Sequence, residues 1–236
     1  MKAVDLVNKK GYFGMINTLD DYIYRSMPQW GDFTTNPNLR KKVDDAGNLL
    51  PFLGNTVVFL LDDDTKEKLR ELQESLYQAA PDMLAQPLQM STFHMTLHDL
   101  ANGTPGQPGL QEYMSYTQER VSQILPDWKD ASPLRMNTTW LFNMVNTSIV
   151  LGLKPADEES WHRLDEMYTA LEFVVKLDYA LTPHITMAYF RPGTHSQEQV
   201  HRISDALRNV DLDITLRMED LVVQNFTDMN HYITVL

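Results

Sequence analysis

Two short segments of the chain repeat one arrangement of side chains suited to moving protons: Thr92-Phe93-His94-Met95-Thr96-Leu97 and Thr182-Pro183-His184-Ile185-Thr186-Met187. Each reads Thr, any residue, His, apolar, Thr, apolar. If both are strands, the two-residue alternation puts the His and both Thr of each on one face, and Met95, Leu97, Ile185 and Met187 on the other. Two such faces brought together supply a general acid, a general base and hydroxyl donors without any metal. A single His-x-Thr match arises easily by chance. The flanking Thr, the following apolar residue and the place of both segments in a longer internal repeat raise the signal.

Other candidates are weaker. His98 is expected on the face of His94, as a substrate contact or merely the exposed end of a strand, and its counterpart Ala188 is not ionisable. Thr92 and Thr182 line that face too, although Thr is common in strands for packing reasons alone. Arg191 could bring positive charge to an anion, yet alternation points it away, and Arg135 and Arg217 read as strand-edge charges. Trp140 or Phe142 could stack on a ring, but burial is the commoner fate of an aromatic. A metal centre is the runner-up. His94 and His98 have the i, i+4 spacing that binds zinc on a helix, with Asp99 as a third ligand. Met95 stands where the Glu of His-Glu-x-x-His belongs, and the Thr/apolar alternation favours a strand.

The elements that must position these residues also repeat. Asn55-Thr56-Val57-Val58-Phe59-Leu60-Leu61 lines up with Asn146-Thr147-Ser148-Ile149-Val150-Leu151-Gly152. Leu69, Leu72, Leu76 and Ala79 then match Trp161, Leu164, Tyr168 and Leu171, both at the spacing of one apolar helical stripe. His94 and His184 follow, 90 positions apart. A further helix is predicted in each half, Leu110 to Leu125 and Ser196 to Leu207, the second opened by a Ser196/Gln199 capping box. Leu134-Arg135-Met136 is echoed by Leu216-Arg217-Met218, leading into strand-like runs at Thr138 to Val145 and Leu221 to Thr227. The chain reads as two β-α-β-α-β halves, 55–145 and 146–236, sharing one body over 55–236.

At 236 residues with 43% hydrophobic content, the chain can bury a sizeable core. Its longest apolar runs are too short to span a bilayer, and its mixed, charged start lacks the pattern of a signal peptide. The expectation is therefore a soluble protein with no membrane partner, leaning cytoplasmic. Without Cys there is no disulfide, thiolate nucleophile or Cys-ligated zinc. A net charge of −12 argues against binding a long polyanion and suits a small or singly phosphorylated substrate. Oligomeric state is left open.

Residues 1–54 have no counterpart in the repeat. Tyr12, Phe13, Tyr22, Tyr24, Trp30 and Phe33 make this extension aromatic, and Asp44-Asp45-Ala46-Gly47-Asn48 signals a tight turn. Packing on the outside of a lobe is the expectation, with a lid over the cleft as the functional alternative.

Paired His-x-Thr-apolar motifs in a duplicated α+β unit resemble the 2H phosphoesterase superfamily, over most of residues 55–236. The stretch from Lys42 through Asp-Ala-Gly-Asn to Thr56 further resembles an uncharacterised bacterial branch of it. The resemblance implies an α+β, bilobal fold, with antiparallel sheets facing a central cleft and helices outside. It implies action on a 2′,3′-cyclic phosphate or 2′-5′ phosphodiester of a small nucleotide or RNA end, with no metal and no cofactor. His94 and His184 would then be the catalytic pair, and Thr96 and Thr186 the phosphate-holding hydroxyls. The chemistry asks for those types: in-line attack needs a base on one side of phosphorus and an acid on the other, and imidazole, with a pKa of ~6.5, does either. Sequence leaves open which His does which. A non-catalytic nucleotide sensor remains the reading from another class, although a pure binder needs no matched proton donors.

Overall fold

The computed structural model describes residues 32–177, 179–206 and 211–236. In chain order the regular elements are β1 (Phe33–Thr34), β2 (Leu53–Leu60), α1 (Asp63–Ala79), β3 (His94–Gly103), α2 (Leu110–Ser122), β4 (Leu134–Met144) and β5 (Ser148–Pro155). They continue with α3 (Glu158–Glu172), β6 (His184–Tyr189), β7 (Thr194–His195), α4 (Gln197–Ala206), β8 (Asp213–Leu216), β9 (Leu221–Asp228) and β10 (His231–Thr234).

Local chemistry sets these boundaries in the same way in both halves. The Asp62 carboxylate accepts the Thr65 N–H at 2.8 Å ahead of α1, and Asp157 accepts the Ser160 N–H at 2.8 Å ahead of α3. Each satisfies a backbone donor that the first helical turn leaves free. The predicted apolar stripes are buried at Leu69, Leu72 and Leu76 and at Trp161, Leu164, Tyr168 and Leu171. Ala79 is only half-buried, because Ala80 closes the first stripe instead. The capping box forms at α4, with Ser196 N–H on Gln199 Oε1 and Gln199 N–H on Ser196 Oγ.

Eight strands make one antiparallel sheet in the order β10-β9-β2-β3-β6-β5-β4-β8, and β1 pairs separately with β7. Each sequence half lends its last long strand to the other: β4 lies against β5, and β9 against β2. The division at 145/146 therefore falls in the β4–β5 turn and does not separate the halves of the sheet. The two halves meet where β3 and β6 pair, at Met95 opposite Ile185.

Helices α1, α2 and α3 cover one face of the sheet. Gln73 of α1 donates to the carbonyls of Leu88 and Met187, and Asn55 of β2 donates to the Met114 carbonyl and Thr117 Oγ1 of α2. The α+β class, the antiparallel strands and the helices outside are as the sequence predicts. Residues 32–54 lie on this body. Leu39 and Val43 are buried in the core, the Phe33 ring meets Phe190 edge-on at 5.0 Å, and Gly47, at φ +88°, makes the predicted turn that brings Leu49 back beside Val43. Tyr12, Phe13, Tyr22, Tyr24 and Trp30 lie outside the described residues. Among the described residues, no helix is long and apolar enough to cross a membrane.

Candidate active site

The two His-x-Thr segments meet at the centre of the sheet. From Met95 opposite Ile185, one step either way along the antiparallel register sets His94 beside Thr186 and Thr96 beside His184. The four form a square, with like residues on its diagonals. Diagonal neighbours across an antiparallel pair are about 7–8 Å apart, a span that a phosphate group can bridge. All four side chains are half-buried on the face of the sheet opposite α1, α2 and α3, while Met95, Leu97, Ile185 and Met187 are enclosed beneath them.

Both rings are held from behind. His184 Nδ1 lies 2.6 Å from the carbonyl of Thr182, so it carries the proton and leaves Nε2 to face the cleft. The Thr92 carbonyl stands in the same relation to His94 and favours its charged form, but the contact falls short of a hydrogen bond and Nδ1 is buried without a partner. Burial lowers both imidazole pKa values, that of His94 to about 4. His184 and Lys66 further oppose protonation of His94, while Asp99 favours protonation of both rings.

Thr92 and Thr182 depart from expectation. They precede the strands, and their hydroxyls bond to the carbonyls of Gln89 at 2.7 Å and Ala180 at 3.3 Å. What they give the site is their own carbonyls.

His98 does not share the face of His94, contrary to the sequence expectation. Val58 stands opposite Thr96 but Val57 opposite His98, so β3 carries one extra residue at this point. That bulge resets the alternation. His98 is turned to the helix face at 1% exposure, with Nε2 3.2 Å from Glu172 of α3 and its ring 5.2 Å from that of Tyr168. The zinc reading loses its geometry with it, since the segment is a strand and His94 and His98 point to opposite faces. Among the described residues no group of three His, Cys, Asp or Glu could hold a metal ion.

The same bulge turns Asp99 onto the imidazole face, where Tyr179 Oη donates to its Oδ2 at 2.7 Å. The second half repeats it: Val150 pairs with Thr186 but Ile149 with Ala188, so Tyr189 takes the place equivalent to Asp99. The Tyr232 ring from β10 meets His94 at 5.2 Å. Sequence reasoning missed Tyr179, Tyr189 and Tyr232 as residues of this site and saw Asp99 only as a metal ligand. A signal was present in the adjacent apolar pair Met187-Ala188, which breaks strict alternation. Phe142 is buried against Val150, and Trp140 is 39% exposed on β4. Arg191 has its Nε buried without a hydrogen bond, against Gly47, and Arg135 reaches Asp157 at 3.5 Å.

No protein-family model matches the chain, and no curated protein does. Solved structures do. A conserved protein of unknown function from Agrobacterium tumefaciens, ATU0111, superposes with a TM-score of 0.59 at 18% identity, covering 86% of this chain and 93% of that one. Escherichia coli LigT is also similar. Its complex with 3′-AMP gives a TM-score of 0.48 at 10% identity over 78% of this chain and 96% of LigT, and its apo form gives 0.47 at 11% over 79% and 96%. The Agrobacterium match shows that the fold is shared with a known structure.

Proposed function

We propose that the protein is a metal-independent phosphodiesterase of the 2H phosphoesterase type, acting on a 2′,3′-cyclic phosphate or 2′-5′ phosphodiester of a small nucleotide or RNA end. The observation that carries this is the His94/Thr186/Thr96/His184 square on the face of the sheet opposite α1, α2 and α3. Two imidazoles on a diagonal can stand on opposite sides of one phosphorus, as in-line displacement requires. The hydroxyls of Thr96 and Thr186 occupy the other diagonal and can donate to the non-bridging oxygens, where negative charge builds.

The surroundings of the rings support a division of roles. Asp99 lies two effective strand positions beyond Thr96, on the side of His184, whereas Lys66 works against a proton on His94. His94 is therefore the general base that takes the proton of the attacking water, and His184 the general acid that protonates the leaving ribose oxygen. One P–O bond forms, another breaks, and a phosphomonoester with a free hydroxyl results. A carboxylate excess of this size suits a short substrate better than a long polyanion.

The test is turnover of a panel of 2′,3′-cyclic mononucleotides and 2′-5′ dinucleotides in EDTA. At least one class should be cleaved at an undiminished rate after exhaustive chelation. Loss of that activity in EDTA with recovery on adding zinc, or no turnover across the panel, contradicts the assignment.

A further inference from the structure

Resting on that phosphodiesterase reading, we propose that Asp99 is the specificity-determining residue of the cleft: its fixed negative charge admits a singly charged phosphodiester and rejects a doubly charged phosphomonoester. The site would thereby expel the product it forms.

A carboxylate beside an anion site weakens binding of every phosphate, so its placement calls for an account. The placement is built by the fold. The β3 bulge turns Asp99, and not His98, toward the imidazoles. The side chain is then held from the connection between α3 and β6: Tyr179 Oη donates to Oδ2 at 2.7 Å, and the Tyr179 carbonyl itself accepts from Tyr168 Oη at 2.9 Å. The same connection is pinned by the Leu177 N–H on Glu172 Oε1 at 3.1 Å, and Glu172 also holds His98, the neighbour of Asp99. Asp99 is thus clamped through its own side chain and through the adjacent residue. Of its two carboxylate oxygens, only Oδ2 accepts a hydrogen bond from a protein group among the described residues. The equivalent position in the second half is the neutral Tyr189, so the charge belongs to one side of the site.

Repulsion grows with ligand charge. A phosphodiester carries one negative charge at any pH near neutrality, whereas a monoester, with a second pKa of about 6, carries nearly two above pH 7. Asp99 therefore opposes the product about twice as strongly as the substrate. The imidazoles respond to Asp99 as well, but burial already lowers both of their pKa values below the usual ~6.5, so at pH 7.5 both rings are largely neutral with or without Asp99 and this indirect effect is small.

The experiment measures, at pH 7.5, KM for the best cyclic phosphodiester and the inhibition constant of its own monoester product. In Asp99→Asn the inhibition constant should fall about tenfold while KM changes less than about threefold, the selectivity expected from one fixed charge at short range. Tyr179→Phe, which removes the donor sharing that charge, should move the inhibition constant the opposite way. Parallel changes in both constants, or an unchanged inhibition constant in Asp99→Asn, would overturn the assignment of Asp99 while leaving the phosphodiesterase intact. If the wild-type protein cleaves no phosphodiester, both fall together.

Discussion

At the scale of single residues, the spacing of the motif and the geometry of the site have one origin. A two-residue step from His to Thr, repeated on an antiparallel neighbour, is what sets each His beside the other strand's Thr. The surroundings then tune the rings: burial lowers both pKa values, to about 4 for His94, and Asp99 pulls in the opposite direction. The sign gives a prediction. A base that must be neutral and an acid that must be protonated, both shifted below the usual ~6.5, place the maximum of the bell-shaped kcat/KM profile on the acidic side of pH 6.5. The two limbs belong to the pair. An optimum above pH 7.5 in kcat/KM would contradict the lowering of both imidazole pKa values by burial. His94, His184, Thr96 and Thr186 were legible because repetition marks them. Asp99 and Tyr179 were not, because their roles depend on a bulge and on a contact spanning 80 residues.

At the scale of elements, the repeat was readable wherever periodicity carries it. The apolar stripes of α1 and α3, the capping box at Ser196 and the turn at Gly47 all follow from local rules. The strand exchange between halves was not readable, because β4 and β9 have the same alternation whichever neighbour they pair with. Nor was the face of His98, since one inserted residue reverses every side chain beyond it. Two elements invite direct tests. A Cβ on Gly54 of β2 would stand 2.3 Å from the Ala101 carbonyl oxygen and 2.4 Å from the Phe226 ring. Gly54→Ala should therefore cost about 1–3 kcal/mol in urea unfolding. It should also disturb the site, because Phe226 packs against Tyr232 at 5.5 Å and Tyr232 against His94. Unchanged stability would contradict the packing described there. Asp62→Ala and Asp157→Ala, which remove the matched helix caps, should each cost about 1 kcal/mol.

At the scale of the whole molecule, interleaved strands make the two halves one body with the site at its seam, so the stability of the fold and the state of the site are linked. His94, His98, His184 and His195 all have pKa values lowered first by burial. The unfolded chain therefore binds protons more readily than the folded one as pH falls below ~6.5. Stability should be fully present above that pH and decline toward pH 4. The carboxylates with lowered pKa values, among them Asp62, Asp157 and Asp82, the last at about 2, add their losses only below that window. Urea midpoints at pH 7.5, 5.5 and 4.5 measure the slope, which His94→Gln should reduce.

The central claim is that the two imidazoles work as one acid-base unit, and turnover by His94→Ala, His184→Ala and the double variant tests it most directly. A base without an acid leaves the ribose alkoxide as a very poor leaving group. Each single replacement should cost roughly 10²–10⁴ in kcat on the best phosphodiester, and the double replacement far less than the product of the two. A variant lacking either His that kept near-full activity, or losses that simply multiplied in the double variant, would contradict the paired mechanism.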